Sequence, residues 1–201
     1  MINKSQHYTP PLGFIIAGGT SSRMGRDDKL LLSICGSSIL NHVINRLSPQ
    51  LGSLIVNANR ADLNTSLEVI PDLIKNSGPL GGIYTALKTA KERGFSKVIT
   101  SPADTPFIPK DFVSRLETYS SKPIVVAKSQ GRVHPILALW DTTLLSDMEW
   151  ALNKGERKIL SWIEKYSPAQ IEWIDGPDPF FNINTPEDLA QAKKRLSQGS
   201  L

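Results

Sequence analysis

The stretch GFIIAGGTSSRMGRDDKLLL, residues 13–32, joins two apolar runs through a loop that packs nothing. Phe14-Ile15-Ile16 is short, unbroken and apolar, as expected of a strand buried on both faces. The loop that follows, Ala17 to Lys29, holds three glycines, two arginines and a lysine. Glycine lets backbone N–H groups approach anionic oxygens, and Arg23 and Lys29 add charge there. The loop is not the dinucleotide fingerprint, since no G-x-G-x-x-G is present. It is not a Walker A loop either, since no Gly-Lys-Ser/Thr follows at the required spacing.

Outward from this stretch, apolar runs alternate with segments of helical period. Residues 38–47 predict a helix with Ile39, Leu40, Val43, Ile44 and Leu47 on one face. Strands are predicted at 13–17, 54–57, 68–70, 97–101, 123–127, 135–140 and 170–174. A helix is expected from Pro79, another from Pro109 carrying Phe112, Val113, Leu116 and Tyr119, and helical segments at 141–153 and 157–166. In the last helix, 185–196, Thr185 caps, Pro186 takes the first position and two acids face the positive dipole end. This alternation predicts an α/β fold with a mostly parallel sheet. Ligands of such sheets bind beyond the carboxyl ends of the strands.

At 201 residues one domain is expected. We divide the chain into a flexible N-terminal segment (1–11), a single folded domain (12–196) and a tail (197–201). The net charge of +4 is spread along the chain, which suits a small anionic substrate better than nucleic acid. No apolar run is long enough to span a bilayer, and residues 1–11 hold no secretory stretch, so a cytoplasmic protein is expected. One cysteine, Cys35, excludes an internal disulfide, and the three histidines lack metal-ligand spacing.

The unusual residues follow the predicted strands. Asn57-Ala58-Asn59-Arg60 offers amides that can read a base edge or a ribose hydroxyl, or simply form a polar turn. Asp72 is a loop carboxylate. Gly78-Pro79-Leu80-Gly81-Gly82 opens a helix whose N-terminus can face a base or a phosphate. Asp104, between Pro102 and Pro106, is placed to hold Mg²⁺, which takes one or two carboxylates plus substrate phosphates. Arg132 and His134 precede a strand and suit an anion. Gly155-Glu156-Arg157-Lys158 lies between helical segments. Asn182 and Asn184, two residues apart, point to one side of an extended chain.

Taken in order, the Ala-Gly-Gly…Arg-Met-Gly…Asp-Lys loop, Asn-Ala-Asn-Arg, Gly-Pro-Leu-Gly-Gly, Asp-Thr-Pro-Phe-Ile-Pro, His-Pro, Gly-Glu-Arg and Asn-Ile-Asn-Thr-Pro-Glu-Asp-Leu resemble the molybdenum cofactor guanylyltransferase family over about residues 12–195. The first loop alone marks a wider nucleotidyltransferase superfamily. Ile16 departs from the usual leucine, and Asp27 is an extra acid; neither removes a charge. The resemblance implies a Rossmann-like three-layer sandwich, similar to nucleotide-diphospho-sugar transferases. It implies transfer of GMP from GTP to molybdenum-molybdopterin, with Mg²⁺ held by Asp104 and pyrophosphate released. On it, Lys29, Arg23 and Asp104 are expected to be catalytic. GTP is expected at Ile16, Ala17, Gly18, Gly19, Lys29, Asn57, Asp72, Gly78, Pro79, Leu80 and Asp104. Molybdopterin is expected at Arg132, His134, Asn182 and Asn184. Other molybdenum cofactor biosynthesis proteins and molybdoenzyme chaperones are partners it brings into view, with no nucleic acid and no membrane. A nucleotidyltransferase using CTP or another phosphorylated acceptor, and a non-catalytic nucleotide-binding protein, stay open as alternatives at this stage.

Overall fold

The computed structural model describes residues 9–17, 29–60 and 62–198. At its centre is β1 (Leu12–Ile16). Leu12, Phe14 and Ile16 face one layer of core and Ile15 the other, which is why the run is apolar without a break. Each such buried side chain contributes about 1.5–3 kcal/mol.

After a one-turn 3₁₀ helix at Lys29–Leu31 comes a small hairpin, β2 (Ser33–Ile34) and β3 (Ser37–Ser38). Helix α1 (Ile39–Leu47) follows, with the Ser38 hydroxyl accepting from the Asn41 N–H. The chain continues through β4 (Leu54–Asn57), β5 (Val69–Ile70), α2 (Gly78–Glu92), β6 (Lys97–Pro102) and α3 (Phe112–Glu117). Next come β7 (Ile124–Ser129), β8 (Arg132–Asp141), α4 (Leu145–Asn153), α5 (Ile159–Glu164), β9 (Ala169–Trp173) and α6 (Pro186–Ser197).

Seven strands form one mostly parallel sheet in the order β5-β4-β1-β6-β8-β7-β9. Only β8 runs against its neighbours. One face packs against α1 and α3, with Ile15, Val56, Ile99, Val125, Leu139 and Ile171 inward. The opposite face packs against α2, α4 and α5, with Phe14, Ile55, Val98, Val126 and Trp140 inward. The expected three-layer α/β sandwich is therefore what the chain forms. Helix α6 belongs to neither layer. Its Ala192 packs with Ile34, Ile39, Phe107 and Ile183 in a third, smaller cluster.

Several local expectations are corrected. Pro109 does not begin α3. The helix starts at Phe112, whose N–H donates to the Pro109 carbonyl, and Tyr119 lies beyond its end, exposed. The strand expected at 135–140 begins at Arg132, because Gln130 and Gly131 make a two-residue hairpin turn with positive φ at both. Arg132 and His134 are therefore inside β8 rather than ahead of a strand. Pro135, which cannot donate to a ladder, lies where the β7–β8 register shifts between Ala127↔His134 and Val126↔Ala138. Asp141 ends β8 instead of opening a helix, and its carboxylate accepts from Thr143 N–H to start a 3₁₀ turn. Ile174 lies past the end of β9 and is exposed.

Candidate functional site

The order of the sheet puts its switch point at β1. The chain leaves β1 toward β4 on one side and returns to β6 on the other, so the crevice opens at these carboxyl ends. Backbone bonds stitch the edge together. Ala17 N–H donates to the Asn57 carbonyl (2.8 Å), and Ala103 N–H donates to the Ile16 carbonyl (3.1 Å). The loop expected to hold phosphates leaves from this point. Gly18, Gly19 and Arg23 lie outside the described residues; Lys29 re-enters at the 3₁₀ turn.

On the β4 side, Asn57 is fully buried as the last residue of its strand. Its amide N–H groups are both used, on the Ile70 carbonyl (3.1 Å) and on Asp72 Oδ1 (3.0 Å). Asn59 donates to Asp72 Oδ2 (2.8 Å) and accepts from the Asp72 N–H (2.9 Å). Two asparagines thus fix one carboxylate, leaving lone pairs on both of its oxygens. Asn59, in sequence one of two amides suited to a base edge, a ribose hydroxyl or a polar turn, is the residue that closes this clip. Asn57 Oδ1 has no hydrogen-bond partner among the described residues. A Cβ at Gly82 would lie 2.8 Å from that oxygen and 2.8 Å from Ile16 Cγ2, so α2 approaches β1 and β4 as closely as glycine permits.

The same helix begins at Gly78, whose φ of +57° is a conformation that favours glycine, followed by Pro79 in the first turn. The Leu80 side chain is fully buried, so only backbone there can face a ligand. The first-turn N–H groups of this 15-residue helix lack intrahelical acceptors and carry its positive dipole end.

Beyond β6, Asp104 is half-buried, and its carbonyl accepts from the Ile183 N–H (3.0 Å). Buried Thr105 donates through Oγ1 to Asn182 Oδ1 (3.1 Å). These bonds join segments almost eighty residues apart and bring Asp104, Asn182 and Asn184 to one place. Ile183 between the asparagines is fully buried, Asn184 is exposed, and Asn182 is half-buried against Thr105. Asn184 N–H and Thr185 N–H both donate to Asp188 Oδ2 (2.9 Å each), completing the capping box of α6. Asp104 supplies hard carboxylate oxygens at the carboxyl end of β6, a donor type that suits Mg²⁺. Among the described residues no group of three or more His, Cys, Asp or Glu is arranged to cage a metal.

His134 stands farther along the edge, on β8. Its Nε2 lies 2.8 Å from Ser129 Oγ, which in turn donates to Asp178 Oδ1 (2.7 Å). The hydroxyl has one proton, and the carboxylate takes it, so Nε2 carries the proton in its own bond to Ser129. Ser129 is buried and its hydroxyl is committed to Asp178, so this trio braces the edge and contains no nucleophile. Burial lowers the imidazole pKa, with Asp178 opposing and Arg132 reinforcing the shift. Arg132 is exposed at the hairpin tip. The turn at Gly155–Lys158 joins α4 to α5; there Glu156 Oε1 accepts from the N–H groups of Arg157 and Lys158 (2.8 and 2.7 Å). Sequence alone did not single out Ser129 or Asp178.

Comparison with known proteins agrees with this architecture. Residues 13–169 match the family model of the MobA-like NTP transferase domain. The molybdenum cofactor guanylyltransferase of Rhizobium meliloti (strain 1021) is 43% identical, the match covering 98% of this chain and 96% of that protein. The crystal structure of molybdopterin-guanine dinucleotide biosynthesis protein A from Archaeoglobus fulgidus superposes with a TM-score of 0.74 at 25% identity, over 92% of this chain and 98% of that one. A nucleotidyl transferase from Methanothermobacter shares the fold, with a TM-score of 0.77 at 15% identity over 96% and 100% of the two chains. No helix among the described residues is long and apolar enough to cross a membrane. With this sheet, this edge and these relatives, the chain belongs to the molybdenum cofactor guanylyltransferase family and is a nucleotidyltransferase.

Proposed function

We propose that the protein transfers GMP from GTP to the terminal phosphate of molybdenum-molybdopterin, in the cytoplasm and with Mg²⁺. The observation that carries this proposal is the meeting, at one sheet edge, of the clipped Asp72 carboxylate, the N-terminus of α2 and Asp104 with its two asparagines. A phosphate oxygen of the pterin attacks the α-phosphorus of GTP. The bond to the bridging oxygen breaks, and pyrophosphate leaves with the electron pair. The attacking phosphate is already ionised, so positioning and charge neutralisation supply most of the catalysis.

Asp72 accepts from guanosine donors, its orientation held by Asn57 and Asn59. The N-terminus of α2, with Gly78, Pro79 and the Leu80 backbone, lies against the nucleotide. Ile16, Ala17, Gly18, Gly19, Arg23 and Lys29 cradle the phosphates. Asp104 is the residue to hold Mg²⁺, which supplies charge neutralisation on the triphosphate. Asn182 and Asn184, with Arg132 and His134 farther along the edge, take the pterin side. Incubation with molybdopterin, molybdate, Mg²⁺ and each nucleoside triphosphate, followed by mass analysis, tests the proposal. A guanine dinucleotide from GTP supports it; equal turnover of CTP and GTP contradicts it.

A further inference from the structure

Arg195 lies in the last turn of α6, remote in sequence from the crevice. Its guanidinium carbon sits 3.9 Å from the ring centroid of Phe107 and 5.8 Å from that of Phe181. Its Nη1 donates to the Asp178 carbonyl at 3.0 Å. Phe107 closes the turn that begins at Asp104, and Phe181 immediately precedes Asn182. One side chain therefore meets a ring from each of the two strips that form the acceptor half of the edge.

The two strips are secured differently. The Asp104 turn continues β6, and its Phe107 and Ile108 are buried. The 174–185 strip contains neither helix nor strand, and its buried anchors are Phe180 and Ile183. It hangs on Asp178, whose Oδ1 accepts from Ser129 Oγ and from Phe180 N–H, and on the Ile183 and Asn182 bonds to the Asp104 turn. Arg195 adds a tie to the Asp178 carbonyl and lies beside Phe181 on the helix side.

An arginine is a costly way to fill this space. The side chain is half-buried, and its Nε is buried with no hydrogen-bond partner among the described residues. Burial lowers its pKa, only partly offset by Asp178. An apolar side chain of similar length avoids that desolvation and is often neutral or stabilising in such positions. What it lacks is direction: a donor aimed at one carbonyl and a flat cation against two rings.

We propose that Arg195 is a positioning residue, holding the 178–184 strip against the Asp104 turn so that Asn182 and Asn184 share the space of Asp104. This rests on the functional proposal above for the pterin side of the site.

The test uses the full chain with Arg195→Met and Arg195→Lys. In Arg195→Met the melting temperature should stay within about 3 °C of the parent. GTP affinity should change by less than about twofold, because the nucleotide side is built from β1, β4 and α2. The KM for molybdopterin should rise on the order of tenfold, since small misplacements at an active site are strongly felt. Amide exchange in a peptide containing Ile183 should accelerate on the order of tenfold as its bond to Asp104 opens more often. Arg195→Lys, which keeps a cation and a donor, should recover most of the KM. An unchanged KM and exchange rate in folded Arg195→Met overturns the proposal. So does failure of that variant to fold, or a loss of GTP affinity in step with the KM. If the parent protein makes no guanine dinucleotide, the functional proposal falls, while the exchange measurement still decides whether Arg195 pins the strip.

Discussion

Replacing Gly82 by alanine puts one methyl group between α2 and the end of β4. The new Cβ would lie 2.8 Å from both Asn57 Oδ1 and Ile16 Cγ2, about 0.6 Å inside the 3.4 Å of ordinary contact. Neither neighbour yields easily, since Asn57 is fully buried and Ile16 nearly so. Alanine gains about 1 kcal/mol over glycine in a helix interior, whereas overpacking costs about 1–3 kcal/mol. The net expectation is a loss of about 1 kcal/mol, or about 2–4 °C in Tm for a domain of this size. The functional effect should exceed the stability effect. Pushing Asn57 disturbs its bonds to Ile70 and Asp72, so the carboxylate proposed to meet guanosine loses its orientation. We expect GTP affinity to weaken about tenfold, equivalent to about 1.4 kcal/mol. Calorimetric titration with GTP and Mg²⁺ alongside thermal melts measures both. Ala86→Gly is the control: it is fully buried in the same helix and should lower Tm comparably while leaving GTP binding unchanged. A Gly82→Ala protein that binds GTP like the parent would show that the close contact does not govern Asp72.

Lys29→Ala and Asp104→Ala should each lower kcat on the order of 100-fold while weakening GTP binding much less, because charge on the phosphates grows toward the transition state; a rate within a few-fold of the parent at saturating Mg²⁺ contradicts these roles. Asn184→Ala should raise the KM for molybdopterin and spare GTP affinity, whereas a mainly lower Tm would make it a turn residue only. His134 holds a proton less readily in the fold than in the unfolded chain, so its contribution to stability is complete above its ordinary value of 6.5 and declines as pH falls below it. The Tm advantage of the parent over His134→Gln should therefore shrink from about pH 7.5 to about pH 5.5, and an advantage that stays constant rules out this linkage.

Much of the fold was legible locally. Residues 13–17 read as a buried strand, which the fold places at Leu12–Ile16, because both faces of a parallel sheet demand apolar side chains. Residues 38–47 read as a helix because their apolar face repeats at 3.6, and Thr185-Pro186 announces α6 because capping chemistry is encoded within four residues. The positions of Asn57, Gly78, Pro79 and Asp104 at strand and helix ends followed from the same short-range patterns. What the chain does not display locally is which strands become neighbours. The reversal of β8, its register shift at Pro135 and its extension back to Arg132 depend on pairing with β6 and β7, chosen by contacts distant along the chain. The same holds for side chains that act across that distance. Arg195 looks like Lys194, one more cation at a helix C-terminus, until α6 lays it on Phe107 and Phe181. Asn57 looks ready to read a base until folding turns its amide onto Asp72. Backbone conformation answers to neighbours a few residues away, whereas a side chain's partner answers to the packed sheet, and only tertiary structure decides it.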